Sequence, residues 1–127
     1  MGGILPFLLS TAHPVADPER HCLWSAKLDL ALEPTVGMGP SVVRWDRDGT
    51  TVSHWALEGI VFGGSIHTVS QTRDWVILAD SGNFKPDMDE MLGGERTVTI
   101  DAEVPVWLIR KEQLEGLPSG TPVRPTC

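Results

Sequence analysis

The residues of this chain best suited to chemistry are its four histidines, His13, His21, His54 and His67. A neutral imidazole is the commonest side-chain ligand for a transition metal, and near its ordinary pKa it can also carry protons. Most histidines in folded chains do neither, and spacing alone promotes no pair of these four. Local sequence separates two of them. Pro14 follows His13 and drives it toward extended backbone, which restricts how the ring is aimed. His67 follows Gly63-Gly64-Ser65-Ile66, where the glycine pair permits a bulge or a close backbone approach just ahead of a strand. Both settings suit rigidly held ligands.

The remaining chemistry-like patterns have plainer readings. Gly63-Gly64-Ser65-Ile66-His67 lacks the glycine that a nucleophile elbow needs two residues after its serine, so it implies no serine hydrolase. Asp46-Arg47-Asp48-Gly49 has part of a calcium-loop pattern. Aligning Gly49 with that loop's glycine puts Arg44 and Trp55 at the first and last ligand positions, so a hairpin turn is the better reading. Asp87, Asp89 and Glu90 fall where acidic side chains favour the start of a helix. Cys22 and Cys127 form neither a CxxC nor a Cys/His cluster, so neither a disulfide framework nor a zinc finger is implied.

The elements that must carry these residues read as strands. From Cys22 to Leu32 the apolar side chains Trp24, Ala26, Leu28, Leu30 and Leu32 alternate with Ser25, Lys27 and Asp29, the period of a half-buried strand. Glu33 to Pro40 breaks the pattern, and a second strand is predicted over Ser41–Trp45. Asp48-Gly49 supplies the turn to a returning strand over Thr51–Phe62. A further pair is predicted over Ser65–Ser70 and Trp75–Ala79, with Gln71 to Asp74 as its turn. Pro86 with Met88, Met91 and Leu92 reads as one short helical turn over 86–92. Two last strands are predicted over Arg96–Asp101 and Val104–Arg110, and 111–127 reads as a loop-like tail rich in Pro and Gly. The fold class is all-β, as a sandwich, a barrel or propeller blades; periodicity does not choose among them. The five tryptophans, with no tyrosine, read as core residues.

Composition narrows the functional classes. The 127 residues are 41% hydrophobic and 21% charged, those of a globular chain of one domain at most. A net charge of −7 with scattered Lys and Arg argues against nucleic acid as a partner. The apolar run Ile4–Leu9 is far short of the roughly 18 residues that span a bilayer, and no basic segment precedes it. A cytoplasmic location is expected.

Thr11-Ala12-His13-Pro14, then Asp17-Pro18-Glu19 and a strand, resembles a segment of the carotenoid oxygenase family, the carotenoid and lignostilbene cleavage dioxygenases. Ser65-Ile66-His67-Thr68, leading through Gln71-Thr72-Arg73-Asp74 to Trp75-Val76-Ile77-Leu78-Ala79-Asp80, is similar to that family's second ligand segment. Val42 to Gly49 resembles the strand and turn lying between the two. The resemblance covers residues from about Leu5 to Arg110.

It implies that 1–110 form part of a seven-bladed β-propeller, about two to three blades, followed by the tail. It implies Fe(2+) held by imidazoles, with His13 and His67 as two of the metal ligands and the others elsewhere in a longer chain. The activity implied is oxidative cleavage of a conjugated C=C bond in a carotenoid, apocarotenoid or stilbene. The partners implied are O2, that hydrophobic substrate, the rest of the propeller and, for the complete protein, a membrane surface touched peripherally. The chain by itself is expected to be inactive and to leave apolar blade faces exposed. The alternative is a non-catalytic, small acidic β-rich binding module or a decayed fragment, in which the histidines are incidental.

Overall fold

A computed structural model describes residues 9–10, 13–31, 37–60, 69–79, 93 and 103–126. Strands β1 (Leu9–Ser10), β2 (Val15–Asp17), β3 (Cys22–Ala31), β4 (Gly37–Asp46) and β5 (Val52–Ala56) form a five-stranded sheet. Its path is β1-β3-β4-β5, with β2 also paired to β3. Strands β6 (Ser70–Gln71), β7 (Trp75–Ala79) and β8 (Val106–Arg110) form a second sheet in that order. All these strand pairs are antiparallel. The chain is thus mostly antiparallel β, in two open sheets.

The alternation in β3 is realised: Cys22, Trp24, Ala26 and Leu28 are buried, while Leu23 is exposed and Ser25 and Lys27 are half-buried. β4 starts earlier than predicted, at Gly37, and runs through Gly39 and Pro40 opposite β3. The proline is tolerated for a reason of direction. In an extended strand a residue's N and C=O point to the same neighbour, and the Pro40 carbonyl accepts from the Leu57 N–H at 2.9 Å. The missing donor therefore faces the side where β5 has just ended, and the β3 ladder loses nothing.

The Asp48-Gly49 turn forms as predicted. Gly49 has φ 74°, and its N–H donates to the Asp46 carbonyl at 2.9 Å. The returning strand is shorter than Thr51–Phe62: β5 ends at Ala56, and Glu58-Gly59 turn the chain with Gly59 at φ 73°. In the second pair, 65–68 lie outside the described residues; β6 is Ser70–Gln71, so Gln71 belongs to the strand instead of the turn, and β8 begins at Val106 instead of Val104. The helical turn at 86–92 and the strand at Arg96–Asp101 lie outside the described residues.

The tail expected from 111 opens as helix α1 (Lys111–Glu115). Lys-Glu-Gln-Leu-Glu are good helix formers, and Glu112 in the first turn suits the dipole. Five residues are too few to hold a helix alone, and burial of Lys111 and Leu114 anchors it. Beyond α1 the chain runs along β5 and β8, the edge strands of the two sheets among the described residues. Val123 forms a parallel bridge with Leu57, its N–H donating to the Ala56 carbonyl at 2.8 Å, and Thr126 bridges Leu108 of β8. One core cluster results, with Trp24, Val42 and Trp55 from the first sheet, Val76, Leu78 and Ile109 from the second, Leu114 from α1 and Val123 from the tail. The Trp24 and Trp55 rings lie 6.4 Å apart at a tilt of 37°.

Candidate functional site

His13 occupies a bridge position two residues before β2, followed by Pro14, and its side chain is exposed. Alternation places it on the same strand face as Val15 and Asp17, whose burial increases in that order, so this face runs from solvent at His13 to the core at Asp17. The second predicted ligand, His67, lies outside the described residues, as do the Gly63–His67 segment and Asp87, Asp89 and Glu90. His21 and His54 are both exposed. His21 has φ 52° in the turn between β2 and β3, where its carbonyl accepts from the Arg47 N–H at 2.9 Å. His54 sits in β5, its backbone N–H donating to Ser119 Oγ at 3.0 Å.

Among the described residues no group of three or more His, Cys, Asp or Glu side chains stands together as a metal site. Imidazole is a suitable donor for iron, and the His13 side chain is exposed. Cys22 is not poised for nucleophilic chemistry, because burial pushes its thiol up. No helix among the described residues is long and apolar enough to cross a membrane.

The residues that sequence reasoning missed lie at the buried end of β2. Lys111 and Asp17 are 1% and 4% exposed, so water cannot satisfy either charge. The ammonium instead spends its three donors on protein: Asp17 Oδ2 at 2.9 Å, Gln71 Oε1 at 2.7 Å and the Thr72 carbonyl at 2.8 Å. It also lies 5.8 Å from the centre of the Trp24 ring. Asp17 Oδ2 accepts a second bond from Trp24 Nε1 at 2.9 Å, and Oδ1 accepts from the Arg20 backbone N–H at 3.2 Å. Burial alone pushes the Asp17 carboxyl up, but the Lys111, Trp24 and Arg20 bonds outweigh it and hold the group down at about 2.

Arg20 extends this junction outward, pairing with Glu115 of α1 and donating to the Arg73 carbonyl at 2.8 Å. The Gln71 side-chain amide closes it by donating to the Ala16 carbonyl. Segments from β2, β3, β6, the β6–β7 turn and α1 thus meet at one ammonium. The one available sequence signal was parity, since Asp17 is a charged residue at a core-facing position of β2.

No family model, no curated protein and no solved structure matches this chain.

Proposed function

We propose that this chain is part of a carotenoid oxygenase-type β-propeller, a non-haem iron dioxygenase, in which His13 and His67 are two of the imidazole ligands of ferrous iron. When bound, the metal would supply the activation of O2 for oxidative cleavage of a conjugated C=C bond in an apolar carotenoid, apocarotenoid or stilbene. The chain's own part is to aim two imidazoles from its strands and to contribute apolar wall to the substrate space. The observation that carries this reading is His13 itself. It is an exposed side chain at a bridge position, followed by Pro14, two residues before a short strand that leads through the turn after Asp17 into a long strand and an Asp-Gly hairpin. That is the order of features that Thr11-Ala12-His13-Pro14 and the segment after it share with the family.

The test is Fe(2+) and Co(2+) binding to the chain with and without the rest of the propeller. His13→Ala and His67→Ala should each weaken binding, and neither His21→Ala nor His54→Ala should. Cleavage activity is expected only in the completed propeller, because two imidazoles without their remaining ligands and supporting carboxylates do not fix the metal's geometry.

A second reading, a non-catalytic β module, draws support from the tail. Val123 and Thr126 pair with the outer edges of β5 and β8, and the core cluster joins both sheets, as in a unit that closes on itself. A monodisperse monomer with one cooperative unfolding transition and no metal affinity would favour it.

A further inference from the structure

We propose that the cleft between the β2–β3 turn and the β4–β5 hairpin binds a small planar ligand carrying a carboxylate, stacked on Trp45 and held by Arg47. The proposal does not depend on His13 or His67. The cleft has a volume of about 510 Å³, within the roughly 300–1,000 Å³ of small-ligand sites. Ala16, Pro18, His21 and Leu23 come to it from the first turn and its flanking strands, Trp45 and Arg47 from the second.

The cleft is preformed. Cys22 pairs with Asp46 at the end of the β3–β4 ladder, and just beyond it the Arg47 N–H donates to the His21 carbonyl at 2.9 Å. That bond ties one turn to the other. His21 sits there at φ 52°, a left-handed conformation that a residue other than glycine keeps only where its surroundings hold it. Little ordering is therefore left for a ligand to impose.

Charge selects the ligand. Two carboxylates line the cleft, but Asp17 is paired with Lys111 at 2.9 Å and Asp46 with Arg44 at 3.0 Å. The Arg47 guanidinium and the His21 ring have no such partner among the described residues. Asp48 on the same hairpin turns its oxygens to Thr50 and Thr51. A chain of net charge −7 thus presents a spare cation at this cleft. A planar guanidinium meets a carboxylate with two parallel hydrogen bonds. Nearby, the Trp45 side chain is 55% exposed, and Leu23, its neighbour across the β3–β4 ladder, is 37% exposed. A flat apolar ring covers both. Ring and carboxylate together are the chemistry that fits.

The probe is naphthoate, with the neutral naphthamide as control, titrated into the full chain and into W45A and R47Q. Binding is read from the Trp45 indole N–H and the His21, Leu23 and Arg47 amides by NMR, the amides alone serving for W45A. Both substitutions fall on exposed side chains, so melting temperatures should stay close to that of wild type. The expected result is that naphthoate shifts these signals and that R47Q weakens it about ten-fold while leaving naphthamide unchanged. W45A should weaken both compounds.

Equal binding of the two compounds to wild type, or naphthoate binding unaltered in R47Q, would overturn the proposal. So would an absence of shifts, or shifts confined to other parts of the chain. A wild-type assembly that W45A breaks into monomers, with naphthoate unbound, would give the Leu23–Trp45 surface to a second copy of the chain and overturn it as well.

Discussion

Asp17 and Asp48 hold their carboxyls at the same level, about 2, in opposite surroundings. Asp17 is buried between two sheets, where desolvation works against ionisation and an ammonium, an indole and a backbone amide must overcome it. Asp48 stands at the exposed tip of the β4–β5 hairpin, where the backbone N–H groups of Thr51 and Thr50, each at 2.9 Å, and the Thr51 hydroxyl at 2.8 Å hold it ionised. At the tip, water can replace any bond that is lost. At the sheet junction nothing can. An equal pKa is therefore a global constraint in one region and a local turn preference in the other.

The sharpest way to break this comparison is Lys111→Met, which leaves Asp17 as an uncompensated buried charge. Unfolding in urea should show a loss of roughly 3–5 kcal/mol, enough to leave a chain of this size marginal or unfolded at room temperature.

Acid comes next. The folded Asp17 value lies below its ordinary value near 3.8, so its contribution is fully present above that value and is lost as pH falls from there through about 2. Stability measured across that window should drop by about 2 kcal/mol, and in Asp17→Asn this part of the drop should vanish.

At the hairpin tip the changes should be smaller. Gly49 has φ 74° and open space where a Cβ would stand, so Gly49→Ala meets backbone strain alone. About 1 kcal/mol is expected from thermal unfolding. Asp48→Ala should loosen amide protection only at Thr50 and Thr51 in hydrogen exchange, with the junction around Lys111 unaffected.

The same contrast explains which parts of the molecule were legible in the sequence. β3 and the Asp48-Gly49 turn are local patterns, a period of two and a residue pair suited to positive φ, and both formed as read. Gly37, Gly39 and Pro40 read as a break, because whether a proline harms a strand depends on which neighbour its missing N–H faces, and that is a property of the sheet. α1 was hidden by the prolines and glycines after it, although Leu114 among helix formers, followed by Gly116, was a usable signal.

The Asp17–Lys111 contact joins residues 94 positions apart, and no local pattern announces such a pair. Of the candidate site, the sequence placed His13 ahead of a strand, and its exposure there is now visible. What lay beyond sequence reasoning was the junction beneath it. A charged residue at core parity becomes informative only when its partner is seen.

Leu23, Trp45 and Val52, cross-strand neighbours in β3, β4 and β5, form an exposed apolar row.

The most direct measurement of the central claim is an NMR titration of the four imidazoles with Co(2+), a paramagnetic stand-in for ferrous iron. Two ligands of one ion at about 2.0–2.2 Å each bring their nitrogens to roughly 3 Å from one another. The expected result is that the His13 and His67 signals shift and broaden together at the lowest metal concentrations, with His21 and His54 unchanged. Equal response from all four rings, or a response at His13 without His67, would contradict the shared iron site.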